Sequence, residues 1–271
     1  MRSAIVVPVF NAVEETRRCL EAVAATVDSA KAGVIVIDDA STHEDIRTLL
    51  AQQPSDWVMV RNAHNLGFVA TANLGMALAG RSDVVLLNSD TQVSAGWLEA
   101  LLACAESDPG IASITPLTNH GEIAAVPEFC RPNPWPVDPQ RWARAARESG
   151  PPTYPDLPTA VGFCMYMRRA AIDEVGAFDE IAFGRGYGEE NDWCCRASAA
   201  GWRHVLCDHA FVAHQGGASF GPLGLMPGGA AMDALLARHP DYLRRVQAFI
   251  AADPFSARRR QIIECYQRLG S

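Results

Sequence analysis

The chain reads as an α/β protein: a mostly parallel, doubly wound sheet followed by a C-terminal helical extension. Three observations lead there. Short continuous apolar runs alternate with longer amphipathic stretches through the first half, the rhythm of a sheet wrapped by helices. Several of those runs stop abruptly in acids or amides, as Val84-Val85-Leu86-Leu87 does at Asn88-Ser89-Asp90. After about Gly229 the apolar spacing becomes helical and is interrupted only at Pro240 and Pro254.

The elements follow in order. Ala4 to Val9 is a strand, and Glu14 to Val27 a helix with Cys19, Leu20, Val23 and Val27 on one side. Val34 to Ile37 is a buried strand, followed by a helix around Asp45 to Gln53. Trp57 to Val60 is a third strand. Phe68 to Ala79 is a helix with Phe68, Ala72, Met76 and Ala79 along one stripe. Val84 to Leu87 is the fourth strand, Gly96 to Glu106 the next helix, and Ile111 to Thr115 the fifth strand. Leu117 to Pro158 breaks the rhythm with a proline-rich stretch that holds a short helix from Pro139 to Glu148. A loop of that length is either functional or a plain surface excursion, and both readings stand. Strand signals return at Thr159 to Arg168, Trp202 to Leu206 and Ala210 to Ala213. These elements divide the chain into 1–228, with halves 1–116 and 117–228, and a helical extension over 229–271.

Composition narrows the function classes. The 271 residues are 49% hydrophobic and 20% charged, with a formal net charge of -8. No basic tract points to nucleic acid. Arg258-Arg259-Arg260 is short and reads as a solvated helix face, with contact to anionic lipid as the alternative. The eight cysteines follow no framework spacing, and no paired C-x-x-C suggests zinc. Met1-Arg2-Ser3-Ala4 enters a strand almost at once, too soon for a signal peptide, and no apolar stretch is long enough to span a membrane. The expected location is cytoplasmic, with peripheral contact at the inner membrane face left open. An acidic protein that takes an anionic ligand needs a metal or local cations to offset repulsion.

Five segments carry chemistry. In open α/β sheets ligands bind outside the carboxyl ends of the strands. Asp90 stands at such an end, where an aspartate can hold a divalent cation; the competing reading is a helix cap, since Ser94 and a helix follow closely. Pro8 removes a ladder hydrogen bond and makes the end of the first strand, Pro8-Val9-Phe10-Asn11, either a specialised site or a simple stop. Asp38 and Asp39 follow a buried strand and can accept hydrogen bonds from a base or a ribose; capping accounts for one acid more comfortably than for two. Glu189, Glu190 and Asp192 cluster where a glycine loop enters a helix. The helix dipole stabilises acids there, while repulsion and burial raise a carboxyl toward the range of a general base. His214 ends an apolar strand ahead of Gln215-Gly216-Gly217 and is a candidate metal ligand.

Taken in order, Pro8-Val9-Phe10-Asn11, Asp38-Asp39-Ala40-Ser41, Asn65-Leu66-Gly67-Phe68, Asn88-Ser89-Asp90 and Gly188-Glu189-Glu190-Asn191-Asp192 resemble the family 2 glycosyltransferases. These enzymes have the GT-A nucleotide-diphospho-sugar transferase fold and invert the anomeric carbon. The subgroup most similar includes rhamnosyltransferase-like enzymes of bacterial surface polysaccharide synthesis. The resemblance runs from about Ile5 to His214. It implies that Pro8, Phe10, Asn11, Asp38, Asp39, Asn65, Gly67, Asn88 and Ser89 form the nucleotide site. It implies a Mg²⁺ or Mn²⁺ ion on Asp90 and His214. Asn88 stands where the family's Asp-x-Asp motif has its first acid. Glu190 matches the catalytic base, with Glu189 as runner-up and Asp192 as support. Gly162 and Phe163 match the acceptor pocket. The implied donor is a UDP- or dTDP-linked sugar, and the acceptor is a glycan or a lipid-linked hydroxyl. A catalytically silent binding module and a sugar nucleotidyltransferase are the alternatives; Pro8 to Glu15 lacks the Gly-rich basic loop of the latter.

Overall fold

A computed structural model describes residues 3–184, 186–216 and 229–270. Gly217 of the glycine loop and the boundary at residue 228 lie outside the described residues. Strands β1 (Ser3–Val9), β2 (Ala32–Asp38), β3 (Val58–Arg61), β4 (Val84–Leu87), β6 (Ile111–Leu117), β7 (Cys164–Met167) and β8 (Arg203–Phe211) form one sheet in the order β3-β2-β1-β4-β7-β6-β8. All neighbours run parallel except β7, which is antiparallel to both β4 and β6. Two-residue strands β5 (Thr91–Gln92) and β9 (Ala213–His214) make a separate antiparallel pair.

The alternation of strand side chains builds two cores. Ile5, Val7 and Val9 face the layer that holds α1 (Val13–Thr26) and α4 (Trp97–Ser107). Ala4 and Val6 face α3 (Phe68–Leu78) and α8 (Glu189–Ala199). Helix α3 lies close to β1 because position 75 is glycine. A Cβ there would sit 2.1 Å from Cγ1 of the fully buried Val6. Gly75→Ala should therefore cost about 1–3 kcal/mol through overpacking, measured as a lowered denaturant midpoint at unchanged slope.

A third core joins the 117–126 segment to α5 (Pro139–Glu148) and α11 (Ser256–Arg268). The basic run in α11 is solvated at Arg260 but not at Arg258 or Arg259. Arg258 is buried, and its Nε donates to Asp208 at 2.8 Å. Arg259 pairs with Asp253. A buried carboxylate on β8 supplies the partner that the local sequence does not display. Strand content is also shorter than expected at 159–168, where only Cys164–Met167 pairs, while β8 runs unbroken through 203–211. Helices α6 (Arg169–Val175) and α7 (Glu180–Phe183) follow β7, and α9 (Gly229–Arg238) and α10 (Tyr242–Ala252) pack on the second core. No helix among the described residues is long and apolar enough to cross a membrane.

Candidate active site

Strand order reverses between β1 and β4, the switch point where doubly wound sheets bind ligands. A cleft of about 350 Å³ opens there. Pro8 causes no loss of pairing to β4, because that ladder ends at Val6. Pro8 and Phe10 line the cleft; Asn11 does not. The Asn11 Oδ1 instead accepts from the backbone N–H of Thr42 at 2.9 Å and of His43 at 3.1 Å, where α2 (Glu44–Ala51) begins.

The two adjacent acids after β2 separate in role. Asp38 is held by the Ser41 N–H at 2.8 Å and by an ion pair with Arg61, away from the cleft lining. Asp39 lines the cleft and organises the loop ahead of α3. Its carboxylate accepts from the Asn62 amide at 2.8 Å, from Leu66 N–H at 2.8 Å and from Gly67 N–H at 2.9 Å. Asn65 and Gly67 of this loop form the adjoining wall.

Asn88, Ser89 and Asp90 stand at the end of β4 and line the cleft floor. Pairing of Thr91 with His214 across β5 and β9 brings the imidazole beside Asp90, with Nε2 3.4 Å from Oδ1. The His214 Nδ1 lies 2.6 Å from the carbonyl of His120, which places the proton on Nδ1 and the lone pair on Nε2. The ring stacks on Phe163 at 5.1 Å. Two electron-rich atoms, Nε2 and Oδ1, thus face one another. A proton or a bound cation between them would be attracted to both.

Helix α8 begins at Glu189, after Gly188 in a left-handed conformation with φ 91°. A side chain at 188 would be strained. Glu189 and Glu190 both reach the cleft. Burial pushes the Glu189 carboxyl well above the usual range, and the neighbouring Glu190 charge adds to it. Glu190 is raised too, first by burial and then by the charge of Glu122. Gly162 lies against Glu190: a Cβ on it would sit 3.7 Å from Cγ. Phe163 adjoins it in the lining.

Asp192 is turned away from the cleft and fully buried. Burial alone would raise its carboxyl; hydrogen bonds from Arg196 at 2.8 Å and His239 at 2.9 Å outweigh that and hold it low. Asp192 therefore fastens the end of α9 to α8, with Arg196 on its other oxygen. Asp192→Ala would leave Arg196 and His239 without their shared acceptor. It should cost about 3–5 kcal/mol, read as a fall in the calorimetric Tm.

Sequence reasoning missed several lining residues. His120, Gly121, Glu122 and Ile123 come from the start of the proline-rich segment, so part of that segment belongs to the cleft. Tyr187 and Thr159 also line it. Helices α9 and α10 add Ala231, Met232, Leu235, Tyr242 and Val246. Along α10 the apolar residues Tyr242, Val246 and Ile250 recur at helical spacing; the first two reach the cleft, while Ile250 is exposed. Four buried polar atoms of the lining have no partner among the described residues: Asn65 Oδ1, Asn88 Oδ1, Glu189 Oε2 and Glu190 Oε2. Buried polar atoms rarely stay unpaired, so their clustering marks a ligand site.

Comparison with known proteins decides the family. The profile of "Glycosyl transferase family 2" matches residues 4–176. The chain belongs to glycosyl transferase family 2. An uncharacterised protein of Mycobacterium tuberculosis is 30% identical over 217 residues, covering 78% of this chain and 73% of that one. A pre-mycofactocin glycosyltransferase of the same organism is 29% identical over 217 residues, which are 78% of this chain and 42% of the relative. An N-acetylglucosaminyl-diphospho-decaprenol L-rhamnosyltransferase, also from M. tuberculosis, is 27% identical over 207 residues, 67% of this chain and 66% of its own. Among solved structures, GalNAc-T7 crystallised with UDP, GalNAc and Mn²⁺ superposes with a TM-score of 0.62 at 16% identity. The match covers 79% of this chain and 44% of that one. Family 2 membership and the GT-A fold agree with the expectation from sequence, and the chain is a glycosyltransferase.

Proposed function

We propose that this family 2 enzyme moves a sugar from a UDP- or dTDP-linked donor to an acceptor hydroxyl by direct displacement with inversion. The observation that carries the reading is the charge of the cleft. Asp39, Asp90, Glu122, Glu189 and Glu190 line it, and no lysine or arginine does among the described residues. A diphosphate entering such a site needs a cation. Asp90 and His214 suit a divalent one: an oxygen and a tautomer-fixed nitrogen 3.4 Å apart, with coordination left over for phosphate and water. No cluster of three ligating side chains occurs among the described residues. When bound, Mg²⁺ or Mn²⁺ would neutralise charge that develops on the leaving diphosphate.

The chain's own groups do the rest. Asp39, Asn65 and Gly67 frame the nucleotide beside Pro8 and Phe10. Asn88 offers its unpaired Oδ1 to a ribose hydroxyl or a metal-bound water. Glu190 takes the proton of the acceptor hydroxyl as its oxygen bonds the anomeric carbon and the bond to phosphate breaks. Glu189 stays neutral beside it, because two buried adjacent carboxylates resist carrying two charges.

The test is incubation with UDP- and dTDP-sugars and a panel of hydroxyl acceptors, read by mass spectrometry for product and by NMR for the anomeric configuration. Transfer or donor hydrolysis with inversion is expected. A complete lack of turnover over bound nucleotide would favour the silent module, the reading that Asn88 in place of an acid supports.

A further inference from the structure

The wall supplied by α9 and α10 differs in chemistry from the strand-end floor. Met232 and Val246 are half-buried and present carbon to the cleft, over Leu235, which is fully buried. The Tyr242 ring joins them, and its hydroxyl is spent on Asn191 Oδ1 at 2.8 Å. The basic side chains along these helices are engaged elsewhere. Arg238 binds Asp179 at 2.8 Å and Asp192 at 3.4 Å, His239 binds Asp192 at 2.9 Å, and Arg244 and Arg245 pair with Asp241 at 3.8 and 3.4 Å. This apolar wall therefore shares a cleft with Glu189 and Glu190, and no arginine or lysine of the described residues lines it.

From this, and resting on the glycosyltransferase reading above, we infer that the acceptor is an uncharged hydroxyl compound whose non-reacting part is apolar, seated on Met232, Leu235, Tyr242 and Val246. Among the described residues, a phosphate or carboxylate on the acceptor would find no arginine or lysine in the lining beside Glu190. An alkyl or aryl group gains burial against the α9–α10 wall and meets no repulsion.

The test uses the full chain saturated with Mn²⁺ and the nucleotide that stabilises it. Glucose, galactose and N-acetylglucosamine are titrated by calorimetry in three forms: free, as phenyl glycosides and as 1-phosphates. One phenyl glycoside should bind about tenfold or more tighter than its free sugar, as burial of one ring allows, and the 1-phosphate more weakly than either. Met232→Glu and Val246→Glu should each erase the phenyl advantage while nucleotide and Mn²⁺ still stabilise the protein, which shows that the variant is folded. A tighter 1-phosphate, no phenyl preference, or a preference untouched by both variants would overturn the inference. If neither nucleotide nor Mn²⁺ stabilises the wild-type chain, the glycosyltransferase reading fails instead.

Discussion

Glu190→Gln should bind nucleotide as the wild type does and lose sugar transfer by roughly 10²–10⁴-fold, the usual worth of a positioned general base. The amide keeps the size of the side chain but has no lone pair basic enough to take the proton. Unchanged turnover would move the role to Glu189, the adjacent raised carboxyl. The pH profile gives a second reading. Glu190 must be ionised to act, and its carboxyl is raised by burial and by Glu122. Transfer should therefore rise with pH through a point above the ordinary glutamate range. Stability should move the opposite way. The folded chain holds the protons of Glu189 and Glu190 more tightly than the unfolded chain does. That contribution is complete below the ordinary glutamate range and is lost as pH rises through the elevated values. Thermal melts and initial rates over the same buffers would show the two curves crossing.

Asp90→Asn should weaken nucleotide diphosphate binding by roughly 10²–10³-fold, the scale of leaving a charged group uncompensated in a buried site. The variant keeps the shape of the strand end but removes the anion beside His214 Nε2. Chelation with EDTA should lower wild-type affinity to about the level of the variant and change the variant little further. Such non-additivity is expected when both perturbations remove the same interaction. Additive losses would separate Asp90 from the metal.

Local runs explain what the sequence made legible. Val84 to Leu87 is apolar enough to be a buried strand wherever it lies, and the Asn88-Ser89-Asp90 that follows it marks the functional edge of the sheet. The expected helix from Pro139 to Glu148 is present with the same ends, because Asp138 accepts from Arg141 N–H and the proline occupies the first turn. What escaped depended on distant partners. The direction of β7 cannot be read from Cys164–Met167 alone, since four apolar residues pair either way. The β5–β9 ladder is two residues long and joins positions 123 apart, yet it sets His214 beside Asp90. Arg258 looked solvent-exposed because its partner, Asp208, lies 50 residues away. Asp38 and Asp39 are adjacent and chemically identical; distant partners tell them apart, Arg61 on Asp38 and the Asn62 amide with the Leu66 and Gly67 N–H groups on Asp39. Of the α9–α10 wall, Tyr242 and Val246 stand at helical spacing in the sequence, but spacing does not say which cleft they face.

The most direct test of the central claim is a thermal melt of the wild-type chain against UDP, dTDP, GDP and CMP, each with and without Mn²⁺. Ligands that bind the native state raise Tm by mass action, by about 2.7 kcal/mol of stability at one hundred times Kd. A shift with UDP or dTDP that requires Mn²⁺ is the result the charge of the cleft demands. A shift of equal size without any divalent cation, or none with any nucleotide, would contradict it.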